Sequence, residues 1–419
     1  MARLQVGVGT TFRDICGFWF CQLNAAGLPS AGTYYSLRLV IRPLQLLMRR
    51  ARLSAVAASA LADTALSWTP NIREVRIVEV APRDGLQNEK EILSLEDKIN
   101  FIKLLEAAGL STIEIASFVN PSKVPQMADA ASLTRHFCSQ RTNGVNARPK
   151  FQVLVPNMRG FQGAAEAGAR EISLFTATTD GFCRANINTT RDESLRRFRV
   201  IAREAADRGI KTRGYISCIF ECPYEGAVAP TRVVEVARQM LDLGCYEVSL
   251  GDTLGSGTAG DTLSLMEELH RTNFPTEALA MHLHDTYGQA LTNLLVSIVH
   301  GGVRVVDAAA AGLGGCPFAS RTTPVPSRAD ADTGAPRADS GQGYHKSHCI
   351  YPRLAPGNVA TEDVVYMLEN SGIKTGVRLD ALMDASAFIC TRLHRRSNSK
   401  AAAALYIRQE RQSRQNPPC

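Results

Sequence analysis

Eight short apolar segments recur between Val75 and Gly312, and this alternation constrains the fold more than any other feature of the chain. They span 75–80, 112–117, 152–156, 171–176, 212–218, 246–251, 279–284 and 303–308. Short, β-branched runs of this kind read as strands buried on both faces. Helical patterns lie near 94–109, 160–168, 190–208, 231–243, 260–272 and 287–301. The first is the clearest. Ser94 is placed to cap it, Asp97 stands at the third helical position, Ile99, Ile102 and Leu105 form an apolar stripe, and Gly109 ends it. Eight such alternations predict an α/β chain of the (β/α)8 TIM-barrel class. A doubly wound open sheet is the alternative, but no Gly-x-Gly-x-x-Gly follows the first strand.

The barrel reading covers residues 72–395 and leaves three segments outside it. Residues 1–70 are poor in acids and rich in Arg, Ala, Ser and Leu. Residues 1–62 hold seven arginines, no lysine and one acid, Asp14, so 7 − 1 = +6 of the formal net charge of +7 lies there. The basic excess therefore argues for a leader of mitochondrial transit-peptide type and a matrix destination, not for nucleic-acid binding. The best presequence-like run starts at Met48, which suggests that residues 1–47 are surplus to it. The second segment, 320–356, interrupts the barrel pattern. Between Arg321 and Gly343 only Val325 is a sizeable apolar residue, so this stretch cannot bury enough surface to fold. Helical pattern resumes at 361–368 and again at 379–393, a short C-terminal helical extension, and the basic tail 396–419 is expected to fray. Eleven cysteines without paired spacing suit a reducing compartment, and no apolar run reaches a membrane span.

The chemistry-bearing residues gather at strand ends. Ala81-Pro82-Arg83-Asp84-Gly85-Leu86-Gln87 follows the first strand directly. Asp84 offers hard carboxylate oxygens to a divalent cation, and Arg83 offers a permanently charged donor to a developing oxyanion. His282-Leu283-His284-Asp285 ends the seventh strand, where alternate residues share a face, so both imidazoles are expected to point inward. In a closed barrel the first and seventh strands flank the eighth, which lets Asp84, His282 and His284 converge on a metal of the Mg²⁺ or Mn²⁺ kind. Cys316 lies on the glycine-rich loop Gly312-Leu313-Gly314-Gly315-Cys316-Pro317 after the eighth strand. Asn358 precedes a helix and could equally be its N-cap. Glu114 and Asp252 lie on the second and sixth strands near the same face, as substrate contacts or as ion-pair partners. Cys218 and Cys222 are spaced too loosely to assign.

These segments together resemble the hydroxymethylglutaryl-CoA lyase family of metal-dependent TIM-barrel lyases and acyl transferases. The resemblance rests on Pro82-Arg83-Asp84-Gly85-Leu86-Gln87-Asn88-Glu89, Ile113-Glu114-Ile115-Ala116-Ser117, Arg213-Gly214-Tyr215, Gly251-Asp252-Thr253, the His282–Gln289 run and above all Gly314-Gly315-Cys316-Pro317. It implies cleavage of 3-hydroxy-3-methylglutaryl-CoA into acetyl-CoA and acetoacetate, a step of leucine catabolism and ketone-body formation. It further implies a metal held by Asp84, His282, His284 and Asn358, with His282 as base and Asp84 its rival. Arg83 would stabilise the enolate, Cys316 would protonate it, and Gln87, Glu114 and Asp252 would contact or support the substrate. A homodimer is compatible with this reading. The chain departs from the family in one place: Asn358 follows Cys316 by 358 − 316 = 42 residues, against about nine in the family's pattern. A barrel impaired by that insert and a condensing acyltransferase are the alternative readings.

Overall fold

The computed structural model describes residues 72–139, 149–315 and 357–415. All of them belong to the unit Pro70–Cys419. The leader, Cys316, the stretch 320–356 and residues 416–419 lie outside the described residues.

Each expected apolar segment forms a strand: β1 Arg76–Glu79, β2 Thr112–Ser117, β3 Lys150–Leu154, β4 Glu171–Ala177, β5 Lys211–Ser217, β6 Glu247–Asp252, β7 Leu279–Leu283 and β8 Val305–Ala308. Neighbours pair in parallel, and β8 closes onto β1 in the register Arg76↔Val305 to Glu79↔Ala308. The product is a closed eight-stranded barrel with helices between the strands. Closure puts β8 between β1 and β7, so the chain leaving these three strands opens side by side at the carboxyl end. A register shift between Glu114 and Ala116 breaks the β2–β3 ladder, the kind of bulge that re-aims a side chain beside a site.

The outer layer forms for local reasons wherever the sequence carries a cap. Ser94 accepts from the Asp97 amide at the start of helix Leu95–Ala107, and Thr258 with Asp261 makes a full capping box on helix Ala259–Arg271. Two short helices were not evident in the sequence pattern, Ala130–Cys138 and Asp180–Ile187, nor was the two-stranded ribbon Glu221–Cys222 with Gly226–Ala227.

The expectation of a fraying tail is overturned, because Lys400–Gln415 is a helix. Its cause is tertiary. Asp363, on helix Thr361–Asn370, accepts from Ser399 Oγ at 2.6 Å, from the Ala401 amide at 2.8 Å and from the Lys400 amide at 3.2 Å. Ser399 in turn accepts from the Ala402 amide at 3.0 Å. The amides that a helix start leaves unpaired thus find acceptors that no local pattern announces. Among the described residues no helix is long and apolar enough to cross a membrane.

Candidate metal centre

After β1 the backbone tightens into a five-residue π-helical turn, Ala81–Gly85. The amides of Arg83, Asp84 and Gly85 all converge on the Val80 carbonyl, at 3.2, 2.8 and 3.2 Å. Pro82 contributes no donor, and Gly85 is required by a close approach, since a Cβ there would lie 2.7 Å from Leu313 Cβ. The turn fixes Arg83 inward, where it is 6% exposed. Its Nε donates to Glu114 Oε2 at 2.5 Å, and its other nitrogens reach Glu114 Oε2 and Asp84 Oδ1, each at 2.5 Å. Burial opposes its charge, but the Glu114 and Asp84 carboxylates outweigh that and hold the guanidinium ionised. Burial alone would raise the Asp84 carboxyl; Arg83, the two imidazoles and the Asn358 amide instead lower it to about 2.

His282 and His284 face Asp84, and the candidate ligand atoms of all three lie within 4.8 Å of one another. His282 Nε2 stands 3.8 Å from Asp84 Oδ2, while its Nδ1 lies 3.3 Å from Asp307 Oδ2. Asp307 is fully buried and is also bound by Arg213, at 2.8 and 3.2 Å, and by Ser249 Oγ at 2.7 Å. Burial would raise its carboxyl, yet Arg213 and His282 hold it far below the usual range. An ionised Asp307 can only accept, so His282 donates to it from Nδ1–H and leaves the Nε2 lone pair facing Asp84. Beneath this pair the barrel interior carries a further chain of charge, with Arg213 Nε on Glu247 at 2.7 Å and Arg76 on the other Glu247 oxygen.

Asn358 completes the group. Its Nδ2 donates to Asp84 Oδ2 at 2.8 Å and to the Leu313 carbonyl at 3.1 Å. The N-cap of helix Thr361–Asn370 is Ala360, so the capping alternative for Asn358 does not hold. The residues also fit a hard divalent cation chemically. Burial and the neighbouring His282 push His284 down to about 4 against the pull of Asp84, which keeps its ring neutral. His284 Nδ1 is buried with no hydrogen-bond partner among the described residues. One carboxylate, two imidazoles and an amide are a donor set suited to Mg²⁺ or Mn²⁺.

The cleft over this group has a volume of about 270 Å³. Arg83, Asp84, Gln87, His282 and His284 line it on the polar side, and Val119, Leu154, Phe175, Phe182 and Ile187 on the apolar side. Gln87, a candidate substrate contact in the sequence, stands in this wall. Sequence reasoning missed Tyr215, whose ring lies 5.5 Å from the Arg83 guanidinium and 4.9 Å from that of Arg213, and whose buried hydroxyl has no partner among the described residues. It also missed Asp307, although an acid inside the run Val305-Val306-Asp307-Ala308 was a readable signal. Glu114 sits behind Arg83 as its clamp and does not line the cleft.

Asp252 does not line the cleft either. It turns into its own loop and accepts from the Gly255 and Gly257 amides, both at 3.0 Å. Burial raises its carboxyl to about 6 against those amides, so it serves the backbone after β6. Cys316 lies outside the described residues, but its neighbour Gly315 reaches the site, where the Gly315 carbonyl accepts from Asn88 Nδ2 at 3.1 Å.

Gly314 gives a sharp check on the Asn358 geometry. Its φ is +114°, and a Cβ would lie 2.7 Å from Asn358 Nδ2. Gly314→Ala is expected to displace the Asn358 amide and weaken Mn²⁺ binding by about tenfold, the scale on which supporting contacts of metal ligands act. Calorimetric titration with Mn²⁺ checks this, and parental affinity would remove Asn358 from the ligand set.

The chain matches the HMGL-like family model over residues 74–389. It is 46% identical over 332 residues to the hydroxymethylglutaryl-CoA lyase of Bos taurus, named mitochondrial, covering 79% of this chain and 90% of the bovine protein. It is likewise 46% identical over 332 residues to a 3-hydroxy-3-methylglutaryl-CoA lyase of Danio rerio, named cytoplasmic, covering 79% of this chain and 86% of that protein. The crystal structure of the hydroxymethylglutaryl-CoA lyase of Pseudomonas aeruginosa superposes with a TM-score of 0.69 at 42% identity, over 80% of this chain and 99% of that one.

Proposed function

The chain belongs to the HMGL-like family, and from that premise we propose that it is a metal-dependent carbon–carbon lyase that splits 3-hydroxy-3-methylglutaryl-CoA into acetyl-CoA and acetoacetate. The observation that carries the proposal is the convergence, in one cleft, of Asp84, His282 and His284, with Asn358 bonded to Asp84 and an arginine held rigid by Glu114. Asp84, His282, His284 and Asn358 would hold Mg²⁺ or Mn²⁺, Asn358 through its amide oxygen. When bound, the cation supplies Lewis acidity that lowers the pKa of the substrate's tertiary hydroxyl.

The remaining work falls to the chain's own groups. The reaction moves one proton from the C3 hydroxyl to C2 as the C2–C3 bond breaks. His282 is the better base of the two candidates, because Asp307 holds its Nδ1 proton; its one Nε2 lone pair can take the hydroxyl proton only while it is not given to the cation. Asp84, lowered to about 2, has too little proton affinity for that role. The bonding electrons pass to the thioester as an enolate, whose oxygen Arg83 stabilises from a position that needs no rearrangement. Cys316 delivers a proton to C2, and the proton taken by His282 passes back to the thiolate, directly or through solvent, to reset both groups. Gln87 and Tyr215 orient the substrate's polar groups, and the apolar wall of Val119, Leu154, Phe175 and Phe182 excludes water from the carbanion.

The test is incubation with 3-hydroxy-3-methylglutaryl-CoA and Mn²⁺, followed by assay of both products. Equal release of acetyl-CoA and acetoacetate supports a lyase. CoA release from acetyl-CoA plus a 2-oxo acid, with no cleavage, supports the condensing reading. The arginine-rich leader and the bovine relative's name support a mitochondrial address in the matrix. The cytoplasmic name of the Danio rerio relative makes import into isolated mitochondria the deciding assay.

A second reading, a barrel impaired by its insert, is tested where the chain re-enters the site. A Cβ on Gly357 would lie 2.6 Å from the Gly315 nitrogen, so the backbone leaves and returns at one point. A loop of any length can close there, and its cost grows only slowly with length. Replacing 320–355 with a short Gly-Ala link is expected to leave Tm unchanged or higher and to raise metal-dependent turnover. Paired assays at saturating Mn²⁺ check this, and an inactive shortened form beside an active parent would make the insert a working part.

A further inference from the structure

We infer that Glu79 is a positioning residue for the metal centre: its carboxylate ties together the turn that carries Asp84, the backbone leaving β8 and the segment that carries Asn358. The inference rests on the metal-site reading above. Glu79 is the last residue of β1 and is fully buried. It shares the helix-facing side of the strand with Ile77 and does not line the cleft, so it acts only through others. Its Oε1 accepts from the amides of Ala81 and Ala310, both at 2.9 Å. Its Oε2 accepts from Thr361 Oγ1 at 2.7 Å.

Those three donors begin the three pieces of chain that make the site. Ala81 opens the turn with Arg83 and Asp84. Ala310 opens the short 3-10 turn Ala310–Gly312, which leads to Leu313, Gly314 and Gly315. Thr361 opens the helix three residues after Asn358. Backbone bonds already join the last two, with Ala309 N on Val359 O at 3.0 Å and Thr361 N on Ala309 O at 3.1 Å. The Asp84 turn is different, because its amides from 83 to 85 are all spent on Val80 O. Glu79 bonds the first amide of that turn and both other pieces with one rigid group. Without it the Ala81 and Ala310 amides, both in fully buried residues, lose their acceptor. Asp84 and Asn358 then keep their own mutual bond but lose the frame that sets its geometry.

Chemistry suggests the control. Burial lifts the Glu79 carboxyl to about 7 against these hydrogen bonds, so an uncharged isostere suits the position. Glutamine keeps an oxygen for both amides and presents its amide nitrogen to Thr361, whose hydroxyl can accept. In the full-length protein, titrated with Mn²⁺ and followed by electron paramagnetic resonance, Glu79→Ala is expected to bind 10–100-fold more weakly. Glu79→Gln is expected to stay within about threefold of the parent, because it keeps that geometry. Leu195→Ala, a core truncation elsewhere, should lower Tm without changing Mn²⁺ affinity, which separates positioning from general loss of stability. Should Glu79→Ala not fold, Thr361→Val decides, since it removes one bond of the three: a several-fold loss of affinity supports the inference and parental affinity overturns it. Parental Mn²⁺ affinity in Glu79→Ala, or a glutamine variant as weak as alanine, overturns it as well. A parent that binds no Mn²⁺ would sink the metal-site reading, and this inference with it.

Discussion

Asp84→Ala, His282→Ala and His284→Ala should each lower Mn²⁺ affinity by more than the roughly 10–100-fold lost when a ligand's outer partner is removed. Turnover should fall with it. The reason is the small number of protein donors: the candidate cluster among the described residues has three members, with Asn358 bonded to one of them. The three variants should differ in a second way. Asp84→Ala also frees an Arg83 nitrogen and removes the acceptor of Asn358, so it disturbs two neighbours as well as the metal. His284→Ala removes a neutral ring whose Nδ1 has no partner among the described residues, so its effect on folding should be the smallest of the three. Equilibrium Mn²⁺ titration beside thermal melts in the absence of metal checks both points. Parental metal affinity in all three variants would mean that the site is misplaced.

Arg83→Lys is expected to lose about 10²–10³-fold in kcat, the usual scale for one oxyanion donor, with KM nearly unchanged. Lysine keeps the charge, but a single ammonium cannot donate to Glu114 from two nitrogens, reach Asp84 and still face the cleft. The expected pattern marks a contact made in the transition state and not in the ground state. Steady-state kinetics at saturating Mn²⁺ checks it. Unchanged kcat would remove Arg83 from enolate stabilisation, while a rise in KM alone would make it a substrate-binding residue.

The barrel was legible because strand residues are mostly buried on both faces, so that apolar runs recur even where a charged residue such as Glu114, Arg213 or Asp307 interrupts them. The helix Asp180–Ile187 was not, because eight residues with two buried side chains, Phe182 and Cys183, hardly form a stripe. The terminal helix was hidden for another reason: its start is held by Asp363, whose contribution depends on the folded chain. Within the site, Asp84 and the histidine pair were legible because they stand at strand ends, where polar residues interrupt apolar runs. Asp252 stands at an equivalent end, and only the fold shows that its carboxylate turns back to Gly255 and Gly257. Glu79, Asp307 and Arg213 were illegible in their roles because their partners are remote. Glu79 meets Ala310 and Thr361 across 231 and 282 positions, and Arg213 meets Asp307 across 94. A buried charge inside a strand signals that a partner exists and is silent on which residue supplies it.

The measurement that tests the account most directly is anomalous diffraction at the manganese edge from crystals of the protein grown with Mn²⁺. The account expects one strong peak within coordination distance of Asp84, His282, His284 and Asn358. A strong peak elsewhere, with none at these four residues, would contradict it.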